Sequence, residues 1–399
     1  MNDSPVPRLV ALSIIALTLG HVFSNAVRTL PAVAADLLQS DLGLSAESLG
    51  ALTAAFPFAF ALAMVPVGAA LDRYGIKPVS LTLLAIAFLG ALGASLATGP
   101  ATMLAAQCVL GIGCSGMLMA PVTFAAKSMA PARFGLWAGL IQALGNTGMV
   151  LSASPLAILI EYAGWRAGFL ACAAIAAIAW IAVALIVREP ALQRQAGRSL
   201  WADAREVLAL AVSPRLAGVL VIAFASFAAV LGVRGLWGGP WLMEVKGMGR
   251  VAAGTVLFAG TLALIAGPVI AGALERRFPA RRRALLAAGH FGAAGAVVVL
   301  VLGGPFEFPA ALDTMLFTAF GLLISFQVLC FALVRSAVPP EQSGRALSAM
   351  NMFFFGGAAV MQGVSGVAAG LGGVGWALLS FAAALAVCTG LFLRIPGPR

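Results

Sequence analysis

Two arginines, Arg28 and Arg234, lie inside long apolar stretches, and their spacing points to an anion-binding site. Arg28 follows Arg8 by twenty residues, and Arg234 follows Arg215 by nineteen. An arginine at the centre of a membrane helix costs about 2.5–3.5 kcal/mol, so such arginines face a watery cavity or a ligand. The planar guanidinium binds carboxylate or phosphate through two hydrogen bonds. We therefore expect a small anionic substrate between them. The alternative is that both side chains snorkel to the membrane interface.

Other polar side chains within apolar stretches are candidates to line the same cavity. Gln142 and Asn146 share one helix face at positions i and i+4. For each amide, the alternative to lining the cavity is hydrogen bonding between helices. For Trp237, the alternative is a place at the membrane interface. The candidates are Asn25, Gln142, Asn146, Asn351 and Trp237.

His21 and Asp36 are the candidates for carrying a coupled proton, with helix packing as the alternative for the histidine. The apolar stretches hold no clustered set of histidine, cysteine and carboxylate, so we expect neither an enzyme nor a metal site nor a cofactor. The five cysteines all lie in apolar runs, where a thiol behaves as a small hydrophobe.

The composition excludes a water-soluble domain. Of 399 residues, 62% are hydrophobic and 10% charged, and the mean hydropathy is +1.04. These values are typical of an all-α membrane protein that crosses the bilayer many times. The net charge of +10 therefore relates to membrane orientation rather than to nucleic acid. We expect a monomer in the inner (plasma) membrane, surrounded by lipid.

Apolar runs between charged or Pro/Gly-rich boundaries predict twelve membrane helices. One extended hydrophilic stretch, 188–213, separates residues 1–187 from residues 214–399, which gives two six-helix bundles joined by a cytoplasmic linker. The predicted spans are 8–37, 46–70, 78–98, 101–127, 135–160, 165–187, 214–243, 250–273, 284–303, 311–335, 345–369 and 372–394.

The basic residues predict the orientation of these helices. With both termini in the cytoplasm, nineteen of the 24 lysines and arginines fall in cytoplasmic segments. Cytoplasmic loops of membrane proteins are enriched in these residues. Arg166, Lys246 and Arg250 would be outside, and Arg28 and Arg234 remain within helices.

A short charged turn between the second and third predicted helices carries a family resemblance. It contains Gly68, Asp72, Arg73, Gly75 and Lys77 in the order Gly-x-x-x-Asp-Arg-x-Gly-x-Lys. This pattern resembles the signature of the major facilitator superfamily of secondary transporters. The resemblance implies two six-helix bundles that alternate access to a central site, and it covers the whole chain in topology.

The same turn predicts contacts that would close the cytoplasmic side. We expect Asp72 to lie at the start of the eleventh helix near Arg345, because a carboxylate is favoured at a helix N-terminus. Glu275 occupies the position in the second half that corresponds to Asp72. We expect it to make a weaker, equivalent contact near Gly135 on the fifth helix. The Asp72→Asn variant should weaken the outward-facing state.

Paired arginines on the first and seventh helices resemble those of glycerol-phosphate and sugar-phosphate antiporters and related organic-anion transporters. The run Gly145-Asn146-Thr147-Gly148 is similar to the nitrate and nitrite porter signature, but those porters carry arginines on helices two and eight, and this chain has none there. An arginine followed by proline on the first helix resembles cyanate permeases.

These resemblances imply a transporter of a small organic anion, working by proton symport or anion exchange. Two alternatives stay open. The protein could export hydrophobic compounds, or it could be a transporter-like receptor that binds an anion and signals.

Overall fold

A computed structural model describes residues 7–129, 131–189, 200–304, 306, 309–339 and 342–396, without the side chains of residues 72, 131–136, 200–204 and 343. In this part of the chain the regular secondary structure is entirely helical. The first half contains helices α1 (Arg8–Thr29), α2 (Pro31–Leu42), α3 (Ala46–Tyr74), α4 (Ile76–Ser95), α5 (Pro100–Cys114), α6 (Met119–Ser128), α7 (Pro131–Ala153) and α8 (Pro155–Ile186).

The second half follows α9 (Leu200–Ala211), a helix within the predicted linker. It contains α10 (Pro214–Ala229), the π-helix Val230–Trp237, α11 (Gly238–Pro240), the π-helix Trp241–Val245, α12 (Arg250–Arg277), the 3-10 turn Pro279–Arg281, α13 (Arg282–Leu302), α14 (Ala310–Ile324), the 3-10 turn Ser325–Val328, α15 (Leu329–Ala337), α16 (Ser343–Gly372) and α17 (Val374–Arg394).

Within the described residues, eleven helices are long and apolar enough to cross a membrane, against the twelve predicted. Helix α7 is not among the eleven, although it overlaps the predicted fifth span. The stretch Pro155–Ile186 counts once, yet Gly164 interrupts it with φ +78°. Glycine suits this left-handed position because it has no Cβ. The interruption lies between the predicted fifth and sixth spans.

The helices that carry the two buried arginines are both irregular beside them. Helix α1 ends at Thr29 and α2 begins at Pro31, whose missing N–H interrupts the helical hydrogen bonding just after Arg28. Arg234 lies within the π-helical turn Val230–Trp237. Such π-turns are rare and frequently mark functional sites. The backbone is therefore irregular beside both arginines.

We name the two ends of the helical bundle the motif side and the far side. The motif side is the end where α3 turns into α4 at Gly75, which adopts φ +95°. The far side is the end where α2 turns into α3 at Gly43 to Ser45. Glu189 accepts hydrogen bonds on the motif side from the first two backbone N–H groups of α4, at 2.7 and 3.0 Å. This carboxylate therefore caps α4.

The first and second halves meet closely on the far side, where glycines remove side-chain bulk. A Cβ placed on Gly50 of α3 would lie 2.5 Å from the Cα of Gly366 on α16. Likewise, a Cβ on Gly239 would lie 1.3 Å from the carbonyl oxygen of Ala32 on α2. Small residues let membrane helices approach this closely. The far side is therefore packed shut at these two crossings.

Candidate substrate cavity

A small cavity lies between the two halves, and Arg28 lines it. The space open to the centre of a water molecule is about 10 Å³, roughly enough for one water. The lining comes from α1, α2, α3 and α5 of the first half and from the π-helical turn and α16 of the second. The lining residues are Arg28, Pro31, Thr53, Phe56, Pro57, Gln107, Leu231, Gly235 and Gln362.

The guanidinium of Arg28 is held in place but not saturated. Its Nη2 donates a hydrogen bond to Oδ1 of Asn25, one helical turn earlier. Its Cζ lies 5.1 Å from the ring centroid of Phe227 and 5.9 Å from that of Phe355, both contributed by the second half. Contacts of this kind with aromatic rings attract a cation. The buried Nε has no hydrogen-bond partner in the described part of the chain, so the group keeps a donor for a ligand.

Arg234 has a different environment, with neutral protein acceptors around it. It is 3% exposed. Its Nε donates to Oγ1 of Thr261 at 2.9 Å, Nη1 to Oγ of Ser152 at 3.3 Å and Nη2 to the carbonyl oxygen of Met149 at 2.5 Å. Met149 and Ser152 belong to α7 in the first half. Arg234 therefore joins the two halves, and it is not among the residues that line the cavity.

Asn25 and His21 form a buried group that connects α1 to α7. Nδ2 of Asn25 donates to the carbonyl oxygen of Gly145 at 2.8 Å and lies 3.4 Å from Nε2 of His21. The His21 ring packs so closely on Gly145 that a Cβ there would lie 1.7 Å from its Cδ2. Asn25 therefore connects Arg28 to α7, because it accepts a hydrogen bond from Arg28 and donates one to Gly145.

The remaining predicted binding residues lie apart from the cavity lining. On α7, Nε2 of Gln142 donates to Oδ1 of Asn146 at 3.2 Å. Trp237 is buried and donates from Nε1 to Oγ of Ser365 at 2.8 Å. Asn351 is partly buried on α16, eleven residues before Gln362, which corresponds to about 16 Å along a helix.

Asp36, the second proton candidate, lies in an ion-pair cluster on the far side. Arg250 donates to both carboxylate oxygens of Asp36 at 2.8 and 2.7 Å, to Glu161 at 3.0 Å and to the carbonyl oxygen of Val33. Arg250 begins α12 of the second half, whereas its acceptors belong to the first half. The cluster therefore holds the two halves together on the far side.

A second far-side ion pair is buried within the second half. Asp313, near the start of α14, is fully buried, and its Oδ2 lies 3.3 Å from Nζ of Lys246. The sequence alone did not predict that this carboxylate is enclosed.

On the motif side, the described part of the turn is anchored through Lys77. Its Nζ donates to the carbonyl oxygen of Ala184 at 2.8 Å, and Arg73 is exposed beside the ring of Tyr74. Gly68 lies within α3, where a Cβ would approach Met119 at 3.1 Å. The side chain of Asp72 lies outside the described residues, and so does its predicted contact. Arg345, its expected neighbour, pairs with Glu206 of α9.

Glu275 pairs with Arg282 across the α12 to α13 hairpin, with 2.6 Å between Oε1 and Nε. The side chains at the start of α7, where its partner was expected, lie outside the described residues.

Three polar lining residues were not predicted as part of the site: Thr53, Gln107 and Gln362. Gln362 is an amide in an apolar helix, so the signal that singled out Asn351 applied to it equally. Among the described residues, no group of three or more histidine, cysteine, aspartate or glutamate side chains could hold a metal ion.

The fold is shared with solved membrane transporters. The chain superimposes on a D-xylose-proton symporter with a TM-score of 0.77, covering 98% of each chain at 16% identity. It also superimposes on the nucleoside transporter NupG with a TM-score of 0.77, covering 97% of this chain and 99% of that one at 15% identity. At these identities the likeness concerns the fold alone.

The sequence supplies the family. The family model of the Major Facilitator Superfamily matches residues 17–361. The chain belongs to the Major Facilitator Superfamily, as the turn around Asp72 and Arg73 predicted, and it is a multi-pass membrane protein.

Two curated relatives match parts of the chain. The Methylenomycin A resistance protein of Bacillus subtilis is 24% identical over 235 residues, which is 58% of this chain and 47% of that protein. The probable sulfoacetate transporter SauU of Cupriavidus necator is 25% identical over 143 residues, which is 36% of this chain and 33% of that protein. The chain thus spans about half of the first relative's length and a third of the second's.

Proposed function

We propose that this protein is a secondary-active transporter of a small organic anion, with Arg28 as the group that binds the anion. The observation that carries the proposal is the position of Arg28: it lines the cavity between the halves and keeps a buried, unpartnered Nε. A permanently charged guanidinium with a free donor favours a carboxylate or a similar anion. The relative named as a probable sulfoacetate transporter adds support for an anionic substrate.

Transport would follow from alternating access to this cavity. The two six-helix bundles, 1–187 and 214–399, joined through 188–213, would rock around the cavity so that it opens first to one side and then to the other. Arg28 belongs to the first bundle, and the two aromatic rings that contact it belong to the second. An anion bound at Arg28 would therefore interact with both moving parts.

The test is anion binding to purified protein in detergent. Thermal stabilisation is measured with acetate, propionate, lactate, sulfoacetate, phosphate, nitrate and cyanate. We expect at least one of the organic anions to stabilise the wild type and to lose its effect in Arg28→Ala. Arg215→Ala, which removes an exposed arginine at the start of α10, is the matched control and should keep the effect. An organic anion that stabilises Arg28→Ala as strongly as the wild type would refute the assignment.

Transport would be energised by proton symport or by exchange for a second anion. Asp36 and His21 are the proposed proton carriers; Asp36 is paired with Arg250, and His21 lies against Asn25. An inward proton gradient that accelerates anion uptake into proteoliposomes would select symport. Uptake that requires an internal anion and ignores the gradient would select exchange.

Export of hydrophobic compounds is the second candidate function, because the longer curated match is a Methylenomycin A resistance protein. Arg28→Ala separates the two functions: export of a neutral hydrophobic compound should survive the loss of this charge, whereas anion transport should not.

We further propose that the motif side faces the cytoplasm, that twelve helices cross the inner membrane and that the protein works as a monomer. The basic residues of the motif turn and of the hairpin around Arg281 support this orientation.

A further inference from the structure

The cavity around Arg28 contains an amide oxygen that an anion, which only accepts hydrogen bonds, does not satisfy. Gln362 of α16 is 4% exposed, and its Oε1 has no hydrogen-bond partner among the described residues. Gln107 of α5 is 3% exposed, and its Nε2 donates to the sulfur of Met103 at 3.9 Å, a weak acceptor. Buried polar groups of proteins are nearly always paired, so an unpartnered one requires a reason. Both amides line the same cavity as Arg28.

The two amides come from opposite halves of the molecule, so they bracket the cavity. Each carboxamide offers both a donor and an acceptor. A ligand that satisfies them therefore needs a neutral group that can both give and take a hydrogen bond, such as a hydroxyl or an amide. The third polar lining residue, Thr53, donates to the carbonyl oxygens of Leu49 and Gly50 at 2.9 and 3.0 Å, so its oxygen can accept from the same group.

The charge of the lining sets a second condition. Among the described residues that line the cavity, Arg28 is the single cationic side chain, and none is acidic. Arg234 donates to protein acceptors through each of its three nitrogens. A second anionic group on the ligand would thus face amides and apolar surface, and an ammonium group would lack a carboxylate.

We propose that the substrate is a short monoanion carrying a neutral hydroxyl or amide group, in which Arg28 binds the anionic end and Gln362, with Gln107, selects the neutral group. The proposal rests on the proposed function and names the substrate class of the same cavity. The cavity has room for about one water in this closed arrangement, so the halves must separate before Pro31, Phe56, Pro57 and Leu231 can supply apolar surface for a short carbon chain. Gln362 is the specificity-determining residue, because it presents an unpartnered atom from the half opposite Arg28.

The test compares matched acids that differ by one hydroxyl, using dissociation constants measured by isothermal titration on purified protein. The pairs are propionate with lactate and acetate with glycolate, and sulfoacetate serves as the doubly charged probe. In the wild type we expect each hydroxy acid to bind about tenfold or more tightly than its partner, since one well-placed hydrogen bond changes affinity by that order. Sulfoacetate should bind more weakly than glycolate.

In Gln362→Met, which keeps the side-chain length, the preference for the hydroxy acid should fall to about twofold or less while propionate binding changes little. Gln107→Met should lower the preference in the same direction, which keeps the test valid if one variant fails to fold. Gln39→Met on α2, outside the cavity, is the matched control and should keep the full preference.

The possible failures point to different parts of the account. Equal wild-type binding of both members of each pair, tighter sulfoacetate binding, or an unchanged preference in both glutamine variants would overturn the substrate class and leave the anion site standing. Anion binding that survives in Arg28→Ala would overturn the proposed function itself.

Discussion

Arg28 and Arg234 occupy matching places in the two halves of the sequence, yet their surroundings differ, and so do the roles that we infer for them. Arg28 keeps an unpartnered Nε in a cavity, whereas every nitrogen of Arg234 donates to a neutral protein oxygen. The sequence could predict that both arginines lie inside apolar helices and interact there with polar groups. Partners such as Ser152 and Met149 could not be predicted, because they come from another helix more than eighty residues away.

Arg234→Lys should destabilise the ligand-free protein. A lysine has a single nitrogen and cannot replace three separately directed donors, so at least one acceptor among Thr261, Ser152 and Met149 would be left without its bond. Hydrogen bonds to charged groups contribute about 1.5–3 kcal/mol each, so we expect a clearly lower melting temperature in detergent. The control is Arg28→Lys, because Arg28 makes one protein hydrogen bond, to Asn25, where Arg234 makes three. Equal melting of Arg234→Lys and wild type would contradict this role.

At the scale of elements, the far side is closed by charge as well as by packing. Arg250 of α12 reaches Asp36 and Glu161 across the boundary between the halves. The sequence predicted Arg250 outside, but not its pairing with Asp36 and Glu161, because over two hundred residues separate Arg250 from Asp36. Only the folded arrangement of α2, α8 and α12 brings them together.

Arg250→Gln should shift the protein toward a state that is open on the far side. The two acids are more than a third exposed, so solvent screens the pairs, and we expect a total effect of about 1–2 kcal/mol, or a five- to thirtyfold population shift. The measurement is maleimide labelling of Thr53→Cys in a protein whose native cysteines are replaced. Arg166→Gln is the control, because Arg166 pairs with Asp41 inside the first half. Unchanged labelling in Arg250→Gln would contradict the closing role.

Gly366→Ala should have a similar effect through packing alone. The added Cβ would lie 2.9 Å from the Cα of Gly50, so α3 and α16 must separate on the far side. Gly356→Ala on the same helix is the matched control, since beyond its own helical turn no atom of the described residues lies within 4 Å of the added Cβ. Labelling of Thr53→Cys should rise in the first variant and stay constant in the second; equal labelling would show that this crossing does not close the cavity.

The predicted helix ends agree with the structure where the length of an apolar run sets them. They differ where a proline or a π-turn changes the backbone. Apolar runs placed α3, α4 and α17 within a few residues of their ends. The predicted span 8–37 runs through the break that proline causes before Pro31, and the π-helical turn Val230–Trp237 was not predicted either. A π-turn depends on how α10 and its continuation fit their neighbours, and hydropathy does not carry that information.

At the scale of the whole molecule, the bias of basic residues predicts which side faces the cytoplasm. Ser45 lies on the far side and Ala280 lies in the α12 to α13 hairpin, and both are exposed. In a cysteine-free background, an impermeant maleimide should label Ser45→Cys in intact cells and Ala280→Cys only after permeabilisation. The reverse pattern would invert the orientation and refute the assignment of the motif side to the cytoplasm.

The fold and the family could be predicted from the sequence because they depend on apolar length and on the Gly68 to Lys77 pattern. The cavity could be predicted only in part. Arg28 was identified by its charge, whereas Thr53, Gln107 and Gln362 were not. Uncharged polar residues are common in apolar helices. Only the packing of α3, α5 and α16 shows which of them face a cavity.

The central claim is that an organic anion crosses the membrane through a site containing Arg28. The most direct test is counterflow in proteoliposomes: vesicles loaded with unlabelled lactate take up labelled lactate from outside. We expect accumulation with the wild type and with Arg215→Ala, and none above protein-free vesicles with Arg28→Ala. Wild-type rates of labelled lactate accumulation by Arg28→Ala would contradict the claim.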